Sequence, residues 1–184
     1  EATFTFGLIS LFLYVAAQTG INSFFINYAT EAAGVSAHEA SVWLSFGGMG
    51  LFMAGRMGGS WIMRAIRAEK VLTGCALGAA ASMTAVILLP GKVGWYCLLL
   101  CFLCESVMFP TIFALALRKV GGHKKRASSF LIMSIVGGAV APILMGYIAD
   151  SSSMATGFII PLSCFVVIAI YAARYGNIQK TNKI

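Results

Sequence analysis

The 184 residues are 59% hydrophobic and only 10% charged, with a mean hydropathy of +0.88 and a formal net charge of +7. Soluble domains carry roughly 25% charged residues, so a water-soluble fold is excluded: it could not hide this much apolar surface. The positive charge does not imply nucleic acid, because the basic residues fall in short connectors between apolar runs and form no basic stripe with interleaved aromatics.

A transmembrane helix needs about 20 mostly apolar residues to cross a hydrocarbon core roughly 30 Å thick. Six stretches qualify, over residues 4–28, 40–63, 71–89, 95–117, 128–148 and 155–174. Helix is the assignment for each, since a lipid-exposed segment must satisfy its own backbone hydrogen bonds and the runs are too long for barrel strands. The predicted fold class is all-α integral membrane, a six-helix bundle.

The first predicted span carries Tyr14, Gln18 and Asn22 at i, i+4 and i+8, which places them on one face. Three hydrogen-bonding side chains in register do not suit a lipid face; they suit a water-filled cavity, where amides match sugar hydroxyls, or interhelical hydrogen bonding.

The second span is dense in glycine, at Gly47, Gly48, Gly50, Gly55, Gly58 and Gly59, and the third carries Gly74-x3-Gly78. Small residues let helix backbones approach closely where no hydrophobic effect drives association. Arg56, within the second span, either snorkels to the basic end or turns inward to meet substrate or a carboxylate.

The fourth span supplies the carboxylate to consider, Glu105. An ionised carboxylate in hydrocarbon is unfavourable, so Glu105 reads as a proton-coupling candidate or as a neutral structural group. Phe109 follows one turn later on the same face, where an aromatic could stack on a sugar ring, and Pro110 predicts a kink, as does Pro142 in the fifth span. Cys97, Cys101 and Cys104 also have helical spacing. They read as packing residues in preference to a metal cluster, since no His accompanies them.

The connectors set orientation. One side receives Arg64, Arg67, Lys70, Arg118, Lys119, Lys124, Lys125, Arg126, Arg174, Lys180 and Lys183; the other receives only Lys92, with Glu31, Glu39 and Asp150. By the positive-inside rule the first side is cytoplasmic, and both ends of the chain lie there. A weak repeat is also visible: Ser45-Phe46-Gly47-Gly48 and Ser134-Ile135-Val136-Gly137-Gly138 each sit in the middle member of a three-helix unit. Two such units form the nested 3+3 inverted repeat of half a transporter.

Enzyme signatures are absent: there is no G-x-S-x-G, H-E-x-x-H, Walker A or dinucleotide fingerprint. His38 and His123 fall in connectors on opposite sides. No cofactor is implied. Glu1 leads straight into an apolar run, without Met or a basic leader, so the chain is expected to be a fragment that begins within a longer protein.

Four motifs together resemble one family. Tyr14-Val-Ala-Ala-Gln-Thr19, Gly55-Arg56, Phe109-Pro-Thr-Ile-Phe113, and Ser128-Ser129-Phe130 with Gly137-Gly138 are similar to the fucose/glucose/galactose–proton symporter family of the major facilitator superfamily. The likeness runs over nearly the whole chain and matches that family's C-terminal six helices. Ala17-Gln18-Thr19 looks more like the fucose permeases than the glucose/galactose members, which tend to be acidic there. The resemblance implies that Gln18, Phe52, Arg56 and Phe109 line a central sugar cavity. Two departures stand out: the fucose permease has a tyrosine where Phe109 stands and an apolar residue where Glu105 stands. The resemblance places the family's principal proton-coupling carboxylates in the N-terminal half. The Gly59–Arg67 stretch is a degenerate form of the superfamily's cytoplasmic loop motif, with Met63 in the usual acidic position.

The expectation is therefore the C-terminal half of a sugar–proton symporter, for L-fucose first and glucose or galactose second, in a bacterial cytoplasmic membrane. Its partners would be a monosaccharide, a proton, the lipid bilayer and an N-terminal six-helix half. The competing expectation is a non-transporting membrane scaffold, in which Gln18, Asn22 and Arg56 only hold helices together.

Overall fold

The computed structural model describes residues 2–118, 120 and 124–181, with the side chains of residues 2 and 177–181 outside that description. The expected placements of His123, Lys119 and Lys183, and of the side chain of Lys180, lie outside the described residues.

The described residues are helical from end to end, in the order α1 (Ala2–Glu31), α2 (Ala37–Val42), a π-helical turn (Trp43–Gly48), α3 (Met49–Ile62), α4 (Ala68–Leu88), α5 (Lys92–Leu117), α6 (Lys124–Met133), a 3-10 turn (Ser134–Val136), α7 (Gly137–Ser151), α8 (Met154–Gly157) and α9 (Ile159–Thr181). Among the described residues, five runs are long and apolar enough to cross a membrane: Thr3–Glu31, Ala68–Leu88, Lys92–Leu117, Lys124–Ser151 and Met154–Gly176. The second predicted span corresponds to α2, the π turn and α3, and its helix is interrupted at Trp43–Gly48. The fifth is interrupted as well, by the 3-10 turn at Ser134–Val136. Both interruptions coincide with the serine–glycine motifs of the repeat, so the two middle helices share a local distortion as well as a pattern. Such turns inside a helix often mark functional hinges.

Interhelical contacts set directions. Near one end, the space beside Gly7 is taken by Ala116 and Tyr171; near the other, Gly94 meets Tyr28, whose hydroxyl donates to the Val86 carbonyl at 3.0 Å. α1 therefore runs antiparallel to α5 and α9. The connectors alternate between the two ends, which puts Arg64, Arg67, Lys70, Arg118, Lys124, Lys125, Arg126 and Arg174 at one end and Glu31, Glu39, Lys92 and Asp150 at the other.

α5 is the most buried span, and α3 lies along it through glycine. A Cβ on Gly55 would run into the Leu103 backbone and the Ser106 hydroxyl, and one on Gly59 would meet Val107. Gly50, Gly58 and Gly74 face open space, so only part of the glycine pattern is helix packing. The core combines α1, α4, α5 and α9 through Tyr14, Phe25, Leu72, Met83, Phe102 and Phe165, all at or near zero exposure. On the outside, Phe46 is 80% exposed, Tyr147 77% and Trp61 72%, a surface compatible with lipid or a partner helix and not with water. α5 continues as helix through Pro110, and α7 through Pro142.

Candidate functional site

Tyr14 is the hub of the predicted site. α1 packs it fully buried against α5, where its hydroxyl donates to the backbone carbonyl of Glu105 at 2.9 Å. Its ring meets Phe109 at 6.0 Å between centroids, and Phe109 in turn stacks on Phe113 at 6.3 Å. Tyr14 is thus a helix-to-helix tie and does not face a cavity as the in-register pattern suggested. A tyrosine hydroxyl finds a partner when its ring is buried, and the helix carbonyl at Glu105 is the acceptor within reach.

One and two turns further along α1, Gln18 and Asn22 emerge from this core half-buried. The Asn22 Oδ1 is shielded from solvent yet has no hydrogen-bond partner. On α3, Phe52 is half-buried and Arg56, one turn on, is exposed. Phe109 is half-buried beside Tyr14. Of the five residues predicted to meet sugar, Phe109 touches Tyr14; Gln18, Asn22 and Phe52 are half-buried and Arg56 is exposed, on α1, α3 and α5.

Glu105 is completely buried. Of the alternatives open for Arg56, pairing with this carboxylate is not found among the described residues, where Arg67 and Glu69 form an ion pair. The Cys101 thiol donates to Glu105 Oε1 at 3.7 Å, a long and weak contact, while Oε2 is buried without a partner. The reason is rotational. Glu105 lies on the side of α5 that faces α1 and the core, whereas α3 approaches α5 through Leu103, Ser106 and Val107. Phe109, one turn on from Glu105, is half-buried.

Sequence reasoning missed Glu69, a 3%-exposed carboxylate in the first turn of α4 that pairs with Arg67. The signal was present as Arg67-Ala68-Glu69 at a helix start, where an acidic side chain is favoured by the helix dipole. Among the described residues no group of three or more His, Cys, Asp or Glu is placed to hold an ion. Cys101 is buried in the core, and the Cys104 sulfur points toward Gly78 of α4.

No protein-family model matches the chain. It is 37% identical to an L-fucose-proton symporter of Escherichia coli (strain K12) over 95% of its own length, and 35% identical to a glucose/galactose transporter of Brucella abortus over 90%. Each alignment covers 40% of the relative, so the chain spans about two fifths of the proteins it matches. The crystal structure of the major facilitator superfamily transporter FucP in the outward conformation superimposes with a TM-score of 0.91 at 35% identity, over 94% of this chain and 42% of that one. With the all-α bundle, its repeated three-helix unit and these matches together, the chain belongs to the fucose/glucose/galactose–proton symporter family of the major facilitator superfamily.

Proposed function

We propose that the chain is the sugar-contacting, C-terminal half of a sugar–proton symporter that works by alternating access, with L-fucose as its first substrate. The observation that carries this reading is the likeness to an L-fucose-proton symporter along 95% of the chain, together with an edge of the bundle where polar groups lack partners. Interhelical glue would tie Arg56 into the bundle; Arg56 is instead exposed, and among the described residues no carboxylate pairs with it. These features favour a wet cavity over a scaffold. Transport, not catalysis, is the activity.

In this reading Gln18 and Asn22 offer amide donors and acceptors to sugar hydroxyls, Arg56 supplies charge-assisted hydrogen bonds, and Phe52 and Phe109 offer apolar faces to the ring. Glu105 is the proton-coupling group of this half. The partner is an N-terminal six-helix half, since six helices alone cannot rock against anything. The basic end faces the cytoplasm of a bacterial cell, in line with the positive-inside rule.

The second reading, glucose or galactose, is favoured by 35% identity to a glucose/galactose transporter. Uptake of labelled L-fucose by the intact parent protein, with and without a proton gradient and with glucose and galactose as competitors, separates these readings. Gradient-driven fucose uptake resisting competition supports the first; uptake abolished by glucose supports the second. No sugar uptake under any gradient would sink both and return the scaffold.

A further inference from the structure

At the basic end of the bundle, α1 begins beside the end of α9, and between them lies a groove bounded by Thr3, Phe6, Val167, Ile170, Tyr171 and Arg174. Phe6 is 50% exposed and Ile170 51%, so the floor is apolar and accessible. Val167, Ile170 and Arg174 follow at i, i+3 and i+7, one stripe of α9 that turns from apolar to cationic as the helix leaves the membrane. At 1.5 Å per residue the run from Met154 to Arg174 rises about 30 Å, the thickness of the hydrocarbon core, so Arg174 emerges at headgroup level.

The Tyr171 ring lines the groove, with its hydroxyl enclosed against Gly7 of α1. A further observation points to a ligand with an anionic head and an apolar tail. The other flank of α9 carries a cleft bordered by Arg67, Lys70 and Thr73, in which the carboxylate of Glu69 is already paired with Arg67. The field around the end of α9 is therefore positive, and Arg174 is exposed within it. Clusters of basic side chains between helices at the cytoplasmic face are where anionic headgroups are held.

We propose that this groove binds an anionic phospholipid, with its phosphate at Arg174 and the first part of one acyl chain along Phe6, Val167 and Ile170. The lipid would wedge between the start of α1 and the end of α9, two helices that both contribute to the core.

The test uses the intact transporter, purified in mild detergent and incubated with vesicles of phosphatidylcholine containing phosphatidylglycerol, with retained lipids counted by native mass spectrometry. Phosphatidylglycerol should be retained over phosphatidylcholine. Arg174→Gln should weaken its retention about fivefold, the effect of one juxtamembrane cation, and Arg174→Lys should restore most of it. Val167→Trp fills the groove with the charge intact and should also lower retention, which keeps the test decisive if Arg174→Gln does not fold. Equal retention of both lipids, or retention unchanged in Arg174→Gln and Val167→Trp alike, overturns the proposal.

Discussion

Two carboxylates are withdrawn from solvent in this bundle, Glu69 at 3% exposure and Glu105 at zero, and their surroundings differ in kind. Glu69 sits in the first turn of α4, where the helix dipole favours negative charge, and Arg67 pairs with it from the preceding residue but one. The Thr73 hydroxyl donates to its backbone carbonyl at 2.7 Å and steadies the same turn. Glu105 stands in mid-helix, away from either helix end, with a thiol on one oxygen and nothing on the other. The first is a satisfied structural ion at the membrane boundary. The second is a polar group in hydrocarbon that the fold does not satisfy, and such groups mark ion and proton pathways. Burial alone therefore does not separate the two carboxylates; the cation beside Glu69 does.

The sharpest way to break this contrast is Glu105→Gln in the intact transporter. Accumulation of sugar above the external concentration should be lost while exchange of sugar across the membrane persists, measured in proteoliposomes with and without a proton gradient. Retained accumulation would make Glu105 structural, like Glu69. At the sugar edge, Arg56→Ala should weaken sugar binding roughly tenfold to a hundredfold, the loss of a hydrogen bond to a charged group at about 1.5–3 kcal/mol. Gln18→Ala should cost less, about 1 kcal/mol for a neutral pair; unchanged affinity in equilibrium binding would count against either role.

Arg67→Ala tests the other carboxylate. It leaves Glu69 buried without its cation and should lower stability by about 2 kcal/mol, less than the 3–5 kcal/mol of a fully buried pair because Arg67 is 40% exposed. The thermal midpoint should drop with sugar affinity unaltered; a change in affinity instead would tie Glu69 to transport. The smallest effect is Tyr14→Phe, which removes the hydrogen bond to the Glu105 carbonyl and keeps the ring against Phe109. It should cost about 0.6–1 kcal/mol, read as faster hydrogen exchange in the middle of α5.

The glycines of α3 show where the pattern in the sequence was legible and where it stopped. Their density announced close helix approach, and Gly55 and Gly59 indeed let α3 lie on α5. Gly50 and Gly58 carry the same signature and touch nothing, because only one side of α3 meets α5. Tyr14, Gln18 and Asn22 make the same point on α1. Their spacing put them on one face, yet a modest rotation along the helix takes that face from the sealed core at Tyr14 to the half-open edge at Gln18 and Asn22.

Composition, run length and connector charge were enough to determine a membrane bundle with alternating helices and one basic end, because each of these is a property of local sequence acting against a uniform apolar solvent. The motif likeness added the family. Only the tertiary structure decided that Glu105 faces α1 without Arg56, that Arg67 holds a buried Glu69, and that a groove with a cationic mouth opens between α1 and α9. Those outcomes depend on the rotation and register of packed helices. Register is set by where small residues such as Gly7, Gly55 and Gly59 admit a neighbour, a three-dimensional fit that no periodicity along one helix contains.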